Sequence, residues 1–154
     1  MKEIERKFLP KQLPENLHRY KKEAIIQGYI SSDPVLRLRR IGDKYVFTFK
    51  NGISLIRDEL ESSITKEQFE NLWRLVSGYY IIKDRHYIPL EDGFVAELDI
   101  YHDRLKGLAT VEVEFNSEEE ANTFIPPDWF GKDVTYDQRY SNSSLSKGIP
   151  PPFQ

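Results

Sequence analysis

The stretch E-I-E-R-K-F at residues 3 to 8 alternates charged and apolar side chains with a period close to two. Successive side chains of a β-strand point to opposite faces, so Glu3, Glu5 and Lys7 share one face, while Ile4 and Phe8 share the other. Two carboxylates and an ammonium group are costly in a dry interior and cost little in water. The stretch therefore predicts a strand with one apolar face and one charged, hydrated face. That charged face is either ordinary surface or one wall of a site.

Length and composition indicate a folded protein of one domain. The chain has 154 residues, which predicts a single domain over residues 1–154. Hydrophobic residues make up 39% and charged residues 31%, but an aromatic content of 13% argues against disorder. The net charge of -3 lacks the basic excess of nucleic-acid-binding proteins, so no nucleic-acid partner is expected.

Three absences bear on where the protein works. The chain has no cysteine, which excludes disulfides and thiolate chemistry. Its N-terminal residues are charged and include no apolar signal-peptide core, and no apolar run reaches the length of a membrane span. We therefore expect a cytoplasmic protein without a membrane partner.

The alternation of the first stretch recurs along most of the chain. Further strands are predicted at residues 25–30, 35–40, 44–50, 56–63, 80–88, 94–101 and 108–115. Capping boxes at Thr65 and Ser117 predict helices over 66–76 and from 118 to about 124. The tail from Trp129 reads as irregular, with a short helix at 141–145 and a helix-breaking run at 148–152. The order is mostly that of a meander, which predicts an α+β, mainly β fold in which an antiparallel sheet curls into a barrel.

Charge is sorted by sign from strand to strand. The acid-x-acid pairs are Glu3/Glu5, Glu59/Glu61, Glu97/Asp99 and Glu112/Glu114; the base-x-base pairs are Arg37/Arg39 and Lys83/Arg85, with Lys7, Lys50 and Arg57 in addition. Any one pair could be the solvent face of an antiparallel sheet. A merely solvated face would mix Ser, Thr, Gln and Asn with its charges, however, and these faces are almost purely charged. The set as a whole favours a site.

The residue types indicate what such a site would bind. Clustered carboxylates without cysteine or well-placed histidine select a hard cation such as Mg²⁺ or Mn²⁺. Clustered arginine and lysine suit phosphate oxygens. A site with both demands fits a metal-chelated polyphosphate, and the chemistry predicted for it is phosphoryl transfer to water.

The same residues resemble a known family. Glu3-x-Glu5-x-Lys7 is similar to the ExExK signature of the CYTH superfamily, the triphosphate tunnel metalloenzymes. Further matches follow in the family's order over nearly the whole chain: Arg37-x-Arg39, Lys50, Glu59-x-Glu61, Lys83-x-Arg85, Asp99 and Glu112-x-Glu114. The resemblance implies an eight-stranded, closed antiparallel β-barrel that forms a tunnel, with a few helices packed outside.

The resemblance also implies roles for individual residues. The implied metal ligands are Glu3, Glu5, Glu112 and Glu114, with Glu59, Glu61 and Asp99 nearby. The implied substrate-binding residues are Lys7, Arg37, Arg39, Lys50, Lys83, Arg85 and Arg139. The implied catalytic residues are Lys83 together with Tyr29 and Lys50, the last two resembling a pair that activates the attacking water.

Two further features have more than one interpretation. Asp137, Arg139, Tyr140 and Asn142 resemble a family segment that closes over the tunnel end, but an ordinary capped helix start explains them equally well. Arg57 faces inward by alternation and matches no strong family position. A salt bridge to a neighbouring carboxylate is as good an interpretation.

The expected function is divalent-metal-dependent hydrolysis of inorganic tripolyphosphate to pyrophosphate and phosphate, by a monomer or homodimer. The short chain favours a small phosphatase, and residues 124–131 resemble short bacterial members that prefer this substrate. The alternatives are a thiamine triphosphatase, a nucleoside triphosphatase, a class IV adenylate cyclase and a non-catalytic barrel that binds polyanions or metal.

Overall fold

The computed structural model describes residues 2–51 and 55–147. The strands are β1 (Lys2–Pro10), β2 (Lys21–Ser32), β3 (Val35–Ile41), β4 (Lys44–Asn51), β5 (Ile56–Ile64), β6 (Ser77–Pro89), β7 (Val95–Tyr101), β8 (Ala109–Glu114) and β9 (Phe130–Asp133). The helices are α1 (Lys66–Trp73), α2 (Glu118–Thr123) and α3 (Asn142–Leu145). Short 3-10 turns lie at Leu17–Arg19, Asp103–Leu105 and Gln138–Tyr140.

The first eight strands form a closed antiparallel barrel. Their order is β5-β4-β3-β2-β6-β7-β8-β1, and pairing of Lys2–Ile4 with residues 56–58 joins the two ends. Every neighbouring pair is antiparallel, as the meander order predicts. The predicted fold class, an eight-stranded closed barrel with helices outside, is confirmed.

Strand β1 has different partners on its two edges. The carbonyl of Ile4 accepts a hydrogen bond from Phe115 on the β8 side, whereas the carbonyl of Lys7 accepts one from Val134 on the other side. That second edge pairs with β5 up to Ile4 and with β9 from Phe8 onward. On that edge, the part of β1 around Glu5 therefore lies between two successive partners.

The apolar faces of the strands point outward and are covered by the helices and the C-terminal segment. Phe8 packs against Phe124 and Phe130; its ring centroid lies 6.3 Å from that of Phe124 and 5.0 Å from that of Phe130. On another side of the barrel, α1 packs its Trp73 and the following Val76 over Gly28. A Cβ at Gly28 would lie 2.7 Å from a Val76 methyl carbon, so only glycine permits this approach.

Several boundaries differ from the predictions for physical reasons. Helix α1 has the predicted capping box between Thr65 and Gln68 but ends at Trp73, because β6 begins at Ser77, which pairs with Tyr29. At α2, Ser117 caps the helix, but Glu120 accepts from the Asn116 amide, so the predicted box is only half formed.

The C-terminal region contains one element that was not predicted. Residues 130–133 were expected to be irregular, yet they form β9. The sequence F-G-K-D has no alternation, and the strand forms because β5 has left the edge of β1 free. The predicted helix-breaking run at 148–152 lies outside the described residues, so the single domain over 1–154 stays a prediction. Among the described residues, no helix is long and apolar enough to cross a bilayer.

Candidate functional site

The barrel encloses a cavity of about 280 Å³ that is lined mainly by charged side chains. All eight barrel strands contribute, because alternate residues point inward along each strand. Among the described residues, seven glutamates and six lysines or arginines line it: Glu3, Glu5, Glu59, Glu61, Glu97, Glu112 and Glu114, with Lys7, Arg37, Arg39, Lys50, Arg57 and Arg85. The charged faces predicted for the strands thus converge on one space.

Three carboxylates form a candidate metal site. One oxygen from each of Glu3, Glu5 and Glu114 lies within 4.8 Å of the others. Burial and the charge of Glu112 raise the pKa of Glu5 well above its usual range. Burial raises the pKa of Glu3 and of Glu114, the latter also through the charge of Glu3. A hard divalent cation would stabilise the ionised form of these crowded carboxyl groups. The three donors therefore fit Mg²⁺ or Mn²⁺.

Glu112 has cations as its neighbours. The Lys7 ammonium lies 3.2 Å from its carboxylate and donates a hydrogen bond to the Tyr140 carbonyl at 3.0 Å. Burial alone would raise the pKa of Glu112, but Lys7 and Arg85 hold it well below its usual range. Burial alone would lower the pKa of Lys7, but Glu112 and Glu5 raise it. Both groups are therefore charged near neutral pH.

The cations of β3 and β4 contact polar partners across the strands. Arg37 donates to Thr48 at 3.1 Å and lies 3.7 Å from Glu61. Lys50 donates to Glu3 at 2.9 Å and lies 3.9 Å from Glu59. These contacts leave Glu59 and Glu61 next to cations, outside the cluster of three carboxylates.

Arg39 is held by a neutral partner. Its Nε donates to the Gln27 side-chain oxygen at 2.9 Å, and the Gln27 amide donates to the Tyr29 hydroxyl at 2.9 Å. Burial, together with the charges of Arg37 and Arg85, lowers the pKa of Arg39 to about 9. Alternation along β2 puts Gln27 on the same face as Tyr29, but no role was predicted for it. A lone amide among charged residues was the available signal.

Asp99 and Lys83 lie behind the cavity wall. Asp99 receives two hydrogen bonds from Arg85, at 2.8 and 3.0 Å, and lies 2.7 Å from the Lys83 ammonium. Burial alone would raise the pKa of Asp99, but Arg85 and Lys83 lower it to about 2, while burial lowers the pKa of Lys83 to about 7. Lys83 has no exposed surface and Asp99 is 1% exposed. The structure does not bring either residue to the cavity. Asp99 therefore holds the Arg85 side chain in place and does not face the cavity as a metal ligand would.

The predicted pair Tyr29 and Lys50 both line the cavity, but they have separate partners. Tyr29 contacts Gln27, and Lys50 contacts Glu3. Their joint role in activating water stays a prediction.

The segment around α3 closes part of the cavity. Ser141, Asn142 and Ser143 line it, and Asn142 accepts a hydrogen bond from the Tyr101 hydroxyl at 2.6 Å. The structure does not bring Arg139 to the cavity. Its side chain is 60% exposed and pairs with Asp137 at 2.7 Å. The two serines were missed because hydroxyls in a predicted tail carry no charge pattern.

A family model described as "CYTH domain" matches residues 1–141. The chain belongs to the CYTH domain family. The match spans all nine strands, including those that carry the charged cavity. CYTH triphosphate tunnel enzymes are metal-dependent.

Relatives named inorganic triphosphatase match nearly the whole chain. An inorganic triphosphatase from Nitrosomonas europaea is 44% identical over 154 residues, which cover 97% of this chain and 100% of that protein. An inorganic triphosphatase from Acetivibrio thermocellus is 35% identical, covering 95% and 94%. A crystal structure of an inorganic triphosphatase is similar with a TM-score of 0.71 and 41% identity, covering 97% of each chain.

Proposed function

We propose that this CYTH protein is a metal-dependent inorganic triphosphatase that hydrolyses inorganic tripolyphosphate to pyrophosphate and phosphate. One observation carries the proposal: three carboxylates of β1 and β8 converge to within 4.8 Å inside a closed barrel, with Arg37 and Arg39 on β3 across from β8. Two relatives named inorganic triphosphatase support the same activity.

The metal ion is Mg²⁺ or Mn²⁺, and Glu3, Glu5 and Glu114 would hold it. When bound, it neutralises charge on the polyphosphate and polarises a phosphoryl oxygen. The carboxylates of the cavity support this dependence, because three of its seven glutamates form the proposed metal site. Without the ion, those three carboxyl groups would face the polyphosphate anion.

Lys7, Arg37, Arg39 and Arg85 bind the phosphate oxygens. Guanidinium groups offer paired donors that match phosphate, and each is held in place before substrate arrives. Gln27 orients Arg39, and Asp99 orients Arg85 with two hydrogen bonds. Lys83 acts through Asp99 as a positioning residue, since its ammonium contacts that carboxylate and not the cavity.

Tyr29 and Lys50 orient the attacking water. Both side chains line the cavity, and Lys50 contacts Glu3, so its ammonium lies beside the proposed metal ligands. Catalysis in such a site is mainly positioning and electrostatic stabilisation of the transferred phosphoryl group.

The lining favours an inorganic substrate. Among the described residues that line the cavity, only Tyr29, Val35 and Ile41 offer apolar or aromatic surface. Binding pockets for organic groups are mostly apolar. A nucleoside or thiamine group would therefore gain little. We also propose that the enzyme is cytoplasmic, acts as a monomer or homodimer, and binds neither nucleic acid nor membrane.

A phosphate-release panel tests the proposal. Tripolyphosphate, thiamine triphosphate and ATP are each incubated with the protein in Mg²⁺, in Mn²⁺ and in EDTA. The proposal expects metal-dependent release with a clear preference for tripolyphosphate. Preference for a nucleotide, or production of cyclic AMP, would overturn the choice of substrate. Binding of tripolyphosphate without turnover in either metal would favour a non-catalytic barrel.

A further inference from the structure

Arg57 is the one cation of the cavity that has no partner among the described residues. Lys7, Lys50, Arg37 and Arg85 each lie within 4.0 Å of a carboxylate, and Arg39 is held by Gln27. The Nε of Arg57 is buried and, among the described residues, has no hydrogen-bond partner. The Nε of Arg37 is also unpartnered, but Arg37 is held through another nitrogen by Thr48 and Glu61, whereas Arg57 has no such contact within the described part of the chain.

The position of Arg57 makes this lack of a partner informative. Arg57 lies directly opposite Glu3 in the pairing of β1 with β5. Directly opposed side chains are about 5 Å apart at Cβ, so an ion pair between the two is within reach. Glu3 instead accepts a hydrogen bond from Lys50. A buried guanidinium nitrogen without an acceptor is unfavourable, so the acceptor expected here is one that arrives with a ligand.

Arg57 also stands where the charged cavity meets a second one. The second cavity, of about 410 Å³, shares seven lining residues with the first: Glu5, Lys7, Val35, Lys50, Arg57, Ser141 and Ser143. Its other lining residues include hydroxyl and amide groups, such as Ser32, Thr135, Gln138 and Ser144, together with the charged side chains of Asp33, Asp137 and Lys147.

We infer that Arg57 binds an end phosphoryl group of the polyphosphate at the boundary of the two cavities, and so favours a triphosphate over a pyrophosphate. The inference rests on the proposed function. A linear polyanion extends along the row of cations, and the residue at the end of that row contacts the end of the anion. In the register of the sheet Arg57 lies beyond Lys50, which pairs with Glu59, so it occupies such an end. Its paired donors suit the oxygens of a terminal phosphoryl group.

Steady-state kinetics of Arg57→Ala and Arg57→Lys test the inference. We expect Arg57→Ala to raise KM for tripolyphosphate by about 10- to 100-fold. Arg57→Lys should raise KM less, because the lysine ammonium keeps the positive charge but lacks the paired N–H donors of the guanidinium group. The inhibition constant of pyrophosphate should rise by less than about 3-fold. The matched control is Arg40→Ala on the outer side of β3, where Arg40 donates to the Gly42 carbonyl; it should leave KM unchanged.

Equal weakening of tripolyphosphate and pyrophosphate would overturn the assignment, as would a wild-type KM in Arg57→Ala. Either result leaves the triphosphatase activity of the parent intact. If the parent does not hydrolyse tripolyphosphate, the proposed function fails. In that case the affinity for tripolyphosphate in Mg²⁺, measured by calorimetry, tests the role of Arg57 separately. Weaker binding by Arg57→Ala than by the parent supports the inference, and equal binding overturns it.

Discussion

Asp99 balances two buried cations at once, and its removal should cost mainly stability. Asp99→Asn removes the carboxylate beside Lys83 and leaves Arg85 with only the more distant Glu97, at 3.7 Å. Removing one partner of a buried ion pair costs about 3–5 kcal/mol. We expect a loss of that order in the free energy of unfolding, measured by urea denaturation. The matched control is Asp58→Asn, whose pair with Lys2 is exposed to solvent and should contribute little to stability.

The Asp99→Asn variant also tests whether Asp99 positions Arg85 or binds the metal ion. If Asp99 only positions Arg85, the Mg²⁺ concentration for half-maximal activity should stay near that of the parent. Normal stability combined with a large rise in that Mg²⁺ concentration would contradict the anchor role.

Glu5 should make metal-free stability depend on pH. Its pKa in the folded protein is raised well above 4.5, mainly by burial and then by Glu112. Below pH 4.5 the carboxyl group is protonated in both states and costs nothing. As pH rises through the window up to the folded pKa, the unfolded state loses its proton more readily, so stability falls.

Glu5→Gln should therefore stabilise the metal-free protein near neutral pH. We expect a gain of about 1 kcal/mol in EDTA, or a rise of roughly 2–4 °C in Tm, that vanishes below about pH 4.5. In Mg²⁺ the order should reverse, because the parent gains stability from the ion that it binds. Thermal unfolding over pH 4 to 8, with and without EDTA, measures both effects. A variant less stable than the parent in EDTA at pH 7 would be evidence against the crowded cluster.

At the level of residues, alternation was enough to predict which side chains face inward. It could not predict their partners. Glu112 and Glu114 are two residues apart on one strand, yet one contacts Lys7 and the other joins the carboxylate cluster. The register between strands decides that difference, since Glu114 lies opposite Glu5 and Glu112 lies opposite Lys7.

Among the elements, β1 ties the cavity to the segment that closes it. The outward Arg6 donates to the carbonyls of Ala121 and Phe124, at 3.0 and 3.3 Å, and pairs with Asp133 at 2.9 Å. Asp133 also accepts from Thr135, whose hydroxyl oxygen accepts from the Lys7 amide. The end of α2, β9 and the chain leading to α3 are thus held against the strand that carries the proposed metal ligands.

Arg6→Met should loosen that region without touching the cavity. We expect faster amide exchange over residues 130–146, a loss of about 1–3 kcal/mol in stability, and a rise of a few-fold in KM, because Ser141 to Ser143 line the cavity. Lys2→Met, at an exposed pair on the same strand, serves as the control and should change neither exchange nor KM. Unchanged exchange over 130–146 in Arg6→Met would count against this coupling.

The elements were predictable where sequence periodicity and tertiary pairing agree. The capping box at Thr65 and the eight long strands satisfy local rules and form as expected. Strand β9 does not satisfy them. Its four residues pair because a free edge is available, and that edge exists only once β5 has diverged from β1.

For the whole molecule, the closed barrel turns a local pattern into a site. Charged faces on separate strands would be ordinary surface in an open sheet, but closure faces them toward one another, so seven glutamates and six cations share one cavity. The strand order predicted a barrel and the charged residues along the strands predicted the class of ligand, while the closed eight-stranded tunnel was implied by the resemblance to the CYTH family. The second cavity and the serines of α3 depend on how the C-terminal segment folds back, which no local pattern indicates.

The most direct test of the central claim follows tripolyphosphate by phosphorus NMR with the full-length protein in Mg²⁺. We expect the triphosphate signals to disappear while pyrophosphate and phosphate appear in equal amounts. We also expect EDTA to stop the reaction, and the replacement of Glu3, Glu5 and Glu114 together by Gln to lower the rate by at least about 100-fold. An unreacted spectrum in both Mg²⁺ and Mn²⁺, or hydrolysis at the same rate in EDTA, would contradict the central claim.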